Sequence, residues 1–155
     1  MSITLLIQDA KWRKSRGLAQ RLKRAAGEAL AQGGGAAGAA LTILLTSDRH
    51  LRALNLSFRG KDGATNVLSF PSPMDAKSYL GDVAVAYGVT AKEAKSAGKS
   101  LIDHATHLAV HGVLHLLGFD HVTARQAKVM EGLETRILRV LNVADPYRQE
   151  VVSPP

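Results

Sequence analysis

The chain has 155 residues, the size of one compact domain, and its 20 Lys and Arg against 13 Asp and Glu leave a formal net charge of +7. The absence of cysteine excludes a disulfide framework and a thiolate-held metal, so any ion must be bound through nitrogen and oxygen. A field of this sign attracts polyanions such as nucleic acid or an anionic membrane face, without choosing between them.

Residues 1–14 lack the apolar core of a signal peptide, and the most apolar stretch, 108–119, is interrupted by histidines and too short to span a bilayer. The expectation is a soluble, cytoplasmic protein without a membrane partner. Residues 3–8 alternate with Ile3, Leu5 and Ile7 on one face, which predicts a half-buried strand. An amphipathic helix is expected next, over about 11–31. Leu18, Leu22, Ala25, Ala26 and Ala29 form its buried side, and seven cations between Lys11 and Arg24 form the rest. The glycine-rich run at 33–38 reads as a loop rather than a domain linker.

Residues 41–46 predict a second strand with Leu41, Ile43 and Leu45 on one face, and Ser47 is placed to cap a helix over 48–56. Strands at 67–70 and 80–86 follow, separated by a loop with Pro71 and Pro73. Three helices close the chain, their starts marked by Thr90 with Glu93, Ser100 with Asp103, and Thr123 with Gln126. The last, over 124–141, carries Gln126, Met130, Leu133 and Ile137 at helical spacing, with Met130 as core. This order predicts an α+β fold, a single domain over 1–155 with a small mixed four-stranded sheet packed against about five helices.

Five of the six histidines lie between positions 104 and 121. His111 and His115 are four apart, so on a helix their imidazoles share a face and can address one ion. His107 shares that face but sits two turns from His115, too far for three straight-helix ligands to converge. Gly118 offers another route. A left-handed residue there ends the helix and turns His121 back onto the first two rings. Any one of these histidines alone is more often an ordinary hydrogen-bonded side chain, and His104 and His107 are read that way. The helix over 101–117 is apolar nearly all round, so its imidazoles need explicit partners, and the triplet is read as a metal tripod. Three neutral nitrogens with an open fourth position suit a catalytic zinc, one ion per chain, whose bound water has its pKa brought toward ~7.

The spacing H-x-x-x-H-x-x-G-x-x-H is shared with metzincin proteases, but Gly112 stands where those enzymes carry their glutamate base. Peptide hydrolysis would need another base, for which Asp120 is the candidate. The string H-G-V-L-H-L-L-G-F-D-H at 111–121 resembles instead the hallmark of the bacterial YbeY family of rRNA-maturation endoribonucleases, with Phe119 in place of tyrosine. Residues 54–71, the L-G-D-V at 80–83 and the M-E-G-L-E from Met130 resemble further blocks of that family. The likeness covers roughly 40–141. Asn66 stands where the family often has aspartate and Ala64 where proline is common, and the 33–38 loop is a local elaboration.

The resemblance implies a metal on His111, His115 and His121, with Arg59 and His115 as catalytic residues. It implies endonucleolytic cleavage of single-stranded RNA, with 16S rRNA and the small ribosomal subunit as partners and no DNA substrate. From position alone Arg59 would be a surface arginine, and only the resemblance gives it a role. Its planar fork can hold two phosphate oxygens as charge builds in the transition state. Either water or a ribose 2′-hydroxyl is the nucleophile in this reading. Asp120 can orient a histidine or water, or cap the helix end. Trp12, Phe58, Phe70 and Phe119 are possible base-stacking platforms, each more often core. Two alternatives stand beside this one: a non-catalytic RNA- or ribosome-binding factor with a structural zinc, and a zinc hydrolase of other substrates.

Overall fold

The computed structural model describes residues 1–73 and 78–147. Four strands, β1 (Ser2–Ile7), β2 (Ala40–Thr46), β3 (Val67–Pro71) and β4 (Tyr79–Ala86), form one sheet in the order β1-β2-β4-β3. The β1, β2 and β4 strands run parallel, and β3 pairs antiparallel to β4 at the edge. Five α-helices accompany the sheet: α1 (Leu18–Gln32), α2 (Asp48–Arg59), α3 (Tyr87–Ser96), α4 (Leu101–Leu116) and α5 (Ala124–Val140). The α+β architecture with a mixed four-stranded sheet and five helices is the one that the order of sequence patterns predicts.

Alternation decides which face of the sheet is buried. Leu41, Ile43 and Leu45 of β2 are in register with Ile3, Leu5 and Ile7 of β1 and with Gly81, Val83 and Val85 of β4. The Leu, Ile and Val side chains of this set pack with Leu22, Ala26 and Leu30 of α1, Ala109 and Val113 of α4, and Ile137 and Leu138 of α5 in the main core. Burying one such Leu or Ile contributes ~1.5–3 kcal/mol, so this face dominates the stability. A smaller cluster, Leu51 with Leu68, Ala84 and Ala86, fixes α2 on the opposite face.

Three local expectations change. The helix foreseen over 11–31 is two elements, a 3-10 helix over Ala10–Lys14 and then α1. Burying the Trp12 ring, whose Nε1 donates to the Thr46 carbonyl at 3.0 Å, turns the first segment onto the sheet, and Gly17 at φ +77° redirects the chain into α1. Thr90 does not start α3. The β4 strand runs directly into that helix with Ala86 as its N-cap, which leaves Thr90 buried inside it. The α2 helix continues one turn further than 48–56, to Arg59. Elsewhere Ser47, Ser100 and Thr123 cap α2, α4 and α5, and Thr123 with Gln126 forms a full capping box.

Candidate metal centre

The centre is built by α4 and the turn that ends it. His111 and His115 project from successive turns of α4, with their Nε2 atoms 3.0 Å apart. Leu117 caps the helix, and Gly118 takes φ +98°, a conformation that a residue with a Cβ rarely adopts. The chain then reverses. The His121 ring arrives 5.4 Å from His111 and 5.0 Å from His115, centroid to centroid. One ring nitrogen from each of the three lies within 4.8 Å of the others. The donor set is three imidazoles with neither carboxylate nor thiolate, which suits zinc and other borderline divalent metals. His107 is not part of it, in keeping with the rise along the helix.

The α5 helix supplies a partner that sequence spacing did not single out. The Glu134 carboxylate is fully buried, and its Oε1 is 2.5 Å from His111 Nδ1. A carboxylate only accepts, so the proton sits on Nδ1 and the Nε2 lone pair is left for a cation. Oε2 accepts from the Tyr147 hydroxyl and is 3.2 Å from His107 Nε2. Burial alone would raise the Glu134 carboxyl, but the hydrogen bonds from His107, His111 and Tyr147 outweigh it and hold the group down at about 2. Burial, and then the charges of His111 and His121, hold His115 below the ordinary imidazole value, which keeps it in the neutral form that binds metal.

On the open side the triad borders a cavity of about 640 Å³ lined by Arg59, Asn66, Ser69, Asp120 and Val122 among others. Arg59 enters from the last turn of α2, so the two residues most distant in sequence among the expected site residues, Arg59 and His121, share one cleft. Asp120 lines it too, its Oδ1 accepting from the His121 backbone N–H at 2.7 Å and so stiffening the ligand turn. Ser69 Oγ donates to the Gly112 carbonyl at 2.8 Å, which ties β3 to α4. The helix approaches the sheet so closely at Gly112 that a Cβ would meet Val83 Cγ1 at 2.5 Å. No glutamate fits there, which is the physical reason that the metzincin pattern fails at this position.

Other expected residues go elsewhere. His104 pairs with Glu93 at 2.9 Å, and His107 with Glu134, both ordinary hydrogen-bonded positions. The cations between Lys11 and Arg24 do not line the cavity, and Arg21 turns toward Asp103 at 3.5 Å. Trp12 is core and Phe119 is packed against it, whereas Phe58 is 71% exposed, at an edge-on contact with Phe70. No helix among the described residues is long and apolar enough to cross a membrane.

The family model described as "Endoribonuclease YbeY" matches residues 6–142. Among curated relatives, the endoribonuclease YbeY of Maricaulis maris is 41% identical over 153 residues, 99% of this chain and 96% of that protein. That of Chelativorans sp. is 43% identical over 151 residues, covering 94% of this chain and 93% of its own. That of Bordetella avium is 49% identical over 134 residues, with coverage of 82% and 83%. The solution structure of TM1509 from Thermotoga maritima superposes with a TM-score of 0.60 over 95% of this chain and 99% of that one. Its 22% identity makes this a likeness of fold.

Proposed function

Since the chain belongs to the endoribonuclease YbeY family, we propose that it is a metal-dependent endoribonuclease, one domain over 1–155, that cleaves single-stranded RNA in the maturation of 16S rRNA and in quality control of the small ribosomal subunit. The observation that carries this reading is the shared cavity, in which a three-imidazole donor set and an arginine face the same space. The proposed metal is zinc, one ion per chain, held by His111, His115 and His121. When bound, it supplies Lewis acidity toward a phosphodiester oxygen and lowers the pKa of a water or ribose hydroxyl beside it.

The chain's own residues do the rest. Arg59 holds two phosphate oxygens through its guanidinium fork and opposes the negative charge that grows on them as the fifth bond to phosphorus forms. Glu134 keeps the His111 proton on Nδ1, and Asp120 holds the turn that presents His121. The positive net charge draws the RNA backbone toward the protein, and the cytoplasm, where 16S rRNA is processed, is the proposed location.

Incubating metal-replete protein with matched single-stranded and duplex oligoribonucleotides tests the activity. Internal cleavage of the single strand alone is expected. Cells depleted of the protein should accumulate unprocessed 16S rRNA ends, and normal ends on depletion would remove the ribosomal part of the reading. Arg59→Ala separates it from a binding factor with a structural metal, for which RNA affinity and metal content would both survive with no turnover to lose.

A further inference from the structure

Asn66 lies in the cleft beside Arg59 and the histidines, yet the metal centre makes no use of it. Its backbone carbonyl accepts from the Ala86 N–H at 2.8 Å, which fixes its place at the end of β4. Its side chain is anchored as well, with Nδ2 donating to Glu93 Oε1 at 2.9 Å. The same Glu93 oxygen is 2.9 Å from His104 Nε2, a ring whose side chain is only 12% exposed. Three elements, the end of β4, α3 and α4, thus converge to hold this residue in place.

That anchor decides which way the amide faces. Glu93 can only accept, so the nitrogen must point at it, and the two ends of the amide are assigned by chemistry. Nδ2 keeps a second N–H, but the acceptor that Asn66 brings to the cleft lining is Oδ1, which takes no hydrogen bond from the other described residues. It is a neutral acceptor. Unlike the Asp120 carboxylate in the same cavity, it does not repel a phosphate held by Arg59. A sugar next to a phosphate held there would lie in the same cleft, and the hydroxyl that distinguishes an internal ribonucleotide from a deoxyribonucleotide, the 2′-OH, can donate to such an acceptor.

On the premise of the endoribonuclease reading above, we infer that Asn66 Oδ1 accepts a hydrogen bond from a ribose 2′-hydroxyl of the bound strand and so contributes to selection of RNA over DNA. Glu93, itself braced by His104, is the positioning residue that keeps the carbonyl end of the amide turned to the cleft. His104 and Glu93 thereby gain a role that neither has in binding metal.

The test walks a single 2′-deoxy or 2′-fluoro substitution along the nucleotides flanking the cleaved bond of a single-stranded oligoribonucleotide; at the ribose 5′ to that bond, whose 2′-hydroxyl is a candidate nucleophile, only binding is read. A 2′-fluoro group keeps the ribose pucker but cannot donate. For the metal-replete wild type, one flanking position is expected where both substitutions lower kcat/KM about fivefold, the value of one neutral hydrogen bond. Asn66→Ala should cleave the all-ribose strand about fivefold less well, match the wild type on the strand substituted at that position, and so lose the penalty. Glu93→Ala should shrink the penalty with every cleft atom still present. Fluorescence anisotropy of the same oligonucleotides on His115→Ala protein should repeat the pattern without turnover. The substituted strand is the internal control, because a misfolded variant would lose that as well.

An undiminished penalty in Asn66→Ala, or an altered base preference instead, would overturn the inference while leaving the nuclease reading intact. Indifference of the wild type to 2′ substitution at every flanking position would do the same. Absence of RNA cleavage by the wild type would bring down both.

Discussion

Glu134 Oε1 lies 2.5 Å from His111 Nδ1, although the two residues belong to different helices and only the packing of α5 on α4 brings them together. The contact sets the tautomer of one of the three imidazoles that could hold a metal. Glu134→Gln removes the charge that holds the Nδ1 proton while keeping the shape, and a loss of about 10- to 100-fold in zinc affinity is expected. Competition with a chromophoric chelator measures it. An unchanged affinity would mean that Glu134 serves packing alone.

Arg59→Ala should leave zinc stoichiometry and melting temperature as in the wild type and lower kcat about 100-fold, the scale for losing one donor to a developing oxyanion. Arg59→Lys should recover little, since an ammonium cannot hold two oxygens in a plane. Steady-state cleavage with metal analysis of the same samples checks both statements. Equal kcat in all three proteins would take Arg59 out of the reaction.

Gly112→Ala puts a methyl group 2.5 Å from Val83 Cγ1, where helix and sheet are already in contact. Overpacking of this kind costs about 1–3 kcal/mol and should lower Tm by about 3–10 °C. Thermal unfolding followed by circular dichroism reads it directly.

Metal-free protein should lose stability on acidification, and the sign follows from His115. Its folded pKa is depressed by burial and by the charges of His111 and His121, so below the ordinary imidazole value of ~6.5 the unfolded chain takes up a proton that the folded chain resists. Stability is thus intact above ~6.5 and declines as the pH falls toward the depressed value. Urea unfolding of chelator-treated protein between those limits should show the decline, and His115→Ala should flatten it.

Much of this was legible because it is local. The triad needs two histidines one turn apart, a glycine to reverse the chain and a third histidine three residues on, all within positions 111–121. The Ser100 and Thr123 caps are equally local. Thr90 misled because its spacing to Glu93 imitates a capping box, while the continuity of β4 into α3 had already set the helix start at Ala86. The break between Lys14 and Leu18 was hidden by an uninterrupted amphipathic pattern, and the Trp12 bond to Thr46 that accompanies it is a contact across 34 residues. Glu134, Ser69 and Glu93 were illegible as site residues for the same reason. Each meets its partner across 23, 43 and 27 residues respectively, and only tertiary packing makes those pairs.

The most direct measurement is a titration of zinc into chelator-treated protein, with bound metal and cleavage of a labelled single-stranded RNA followed on the same samples. The account predicts that activity rises in step with binding and saturates at one ion per chain, and that His115→Ala neither binds tightly nor cleaves. Cleavage at full rate by the metal-free protein, or stoichiometric loading that restores none, would contradict it.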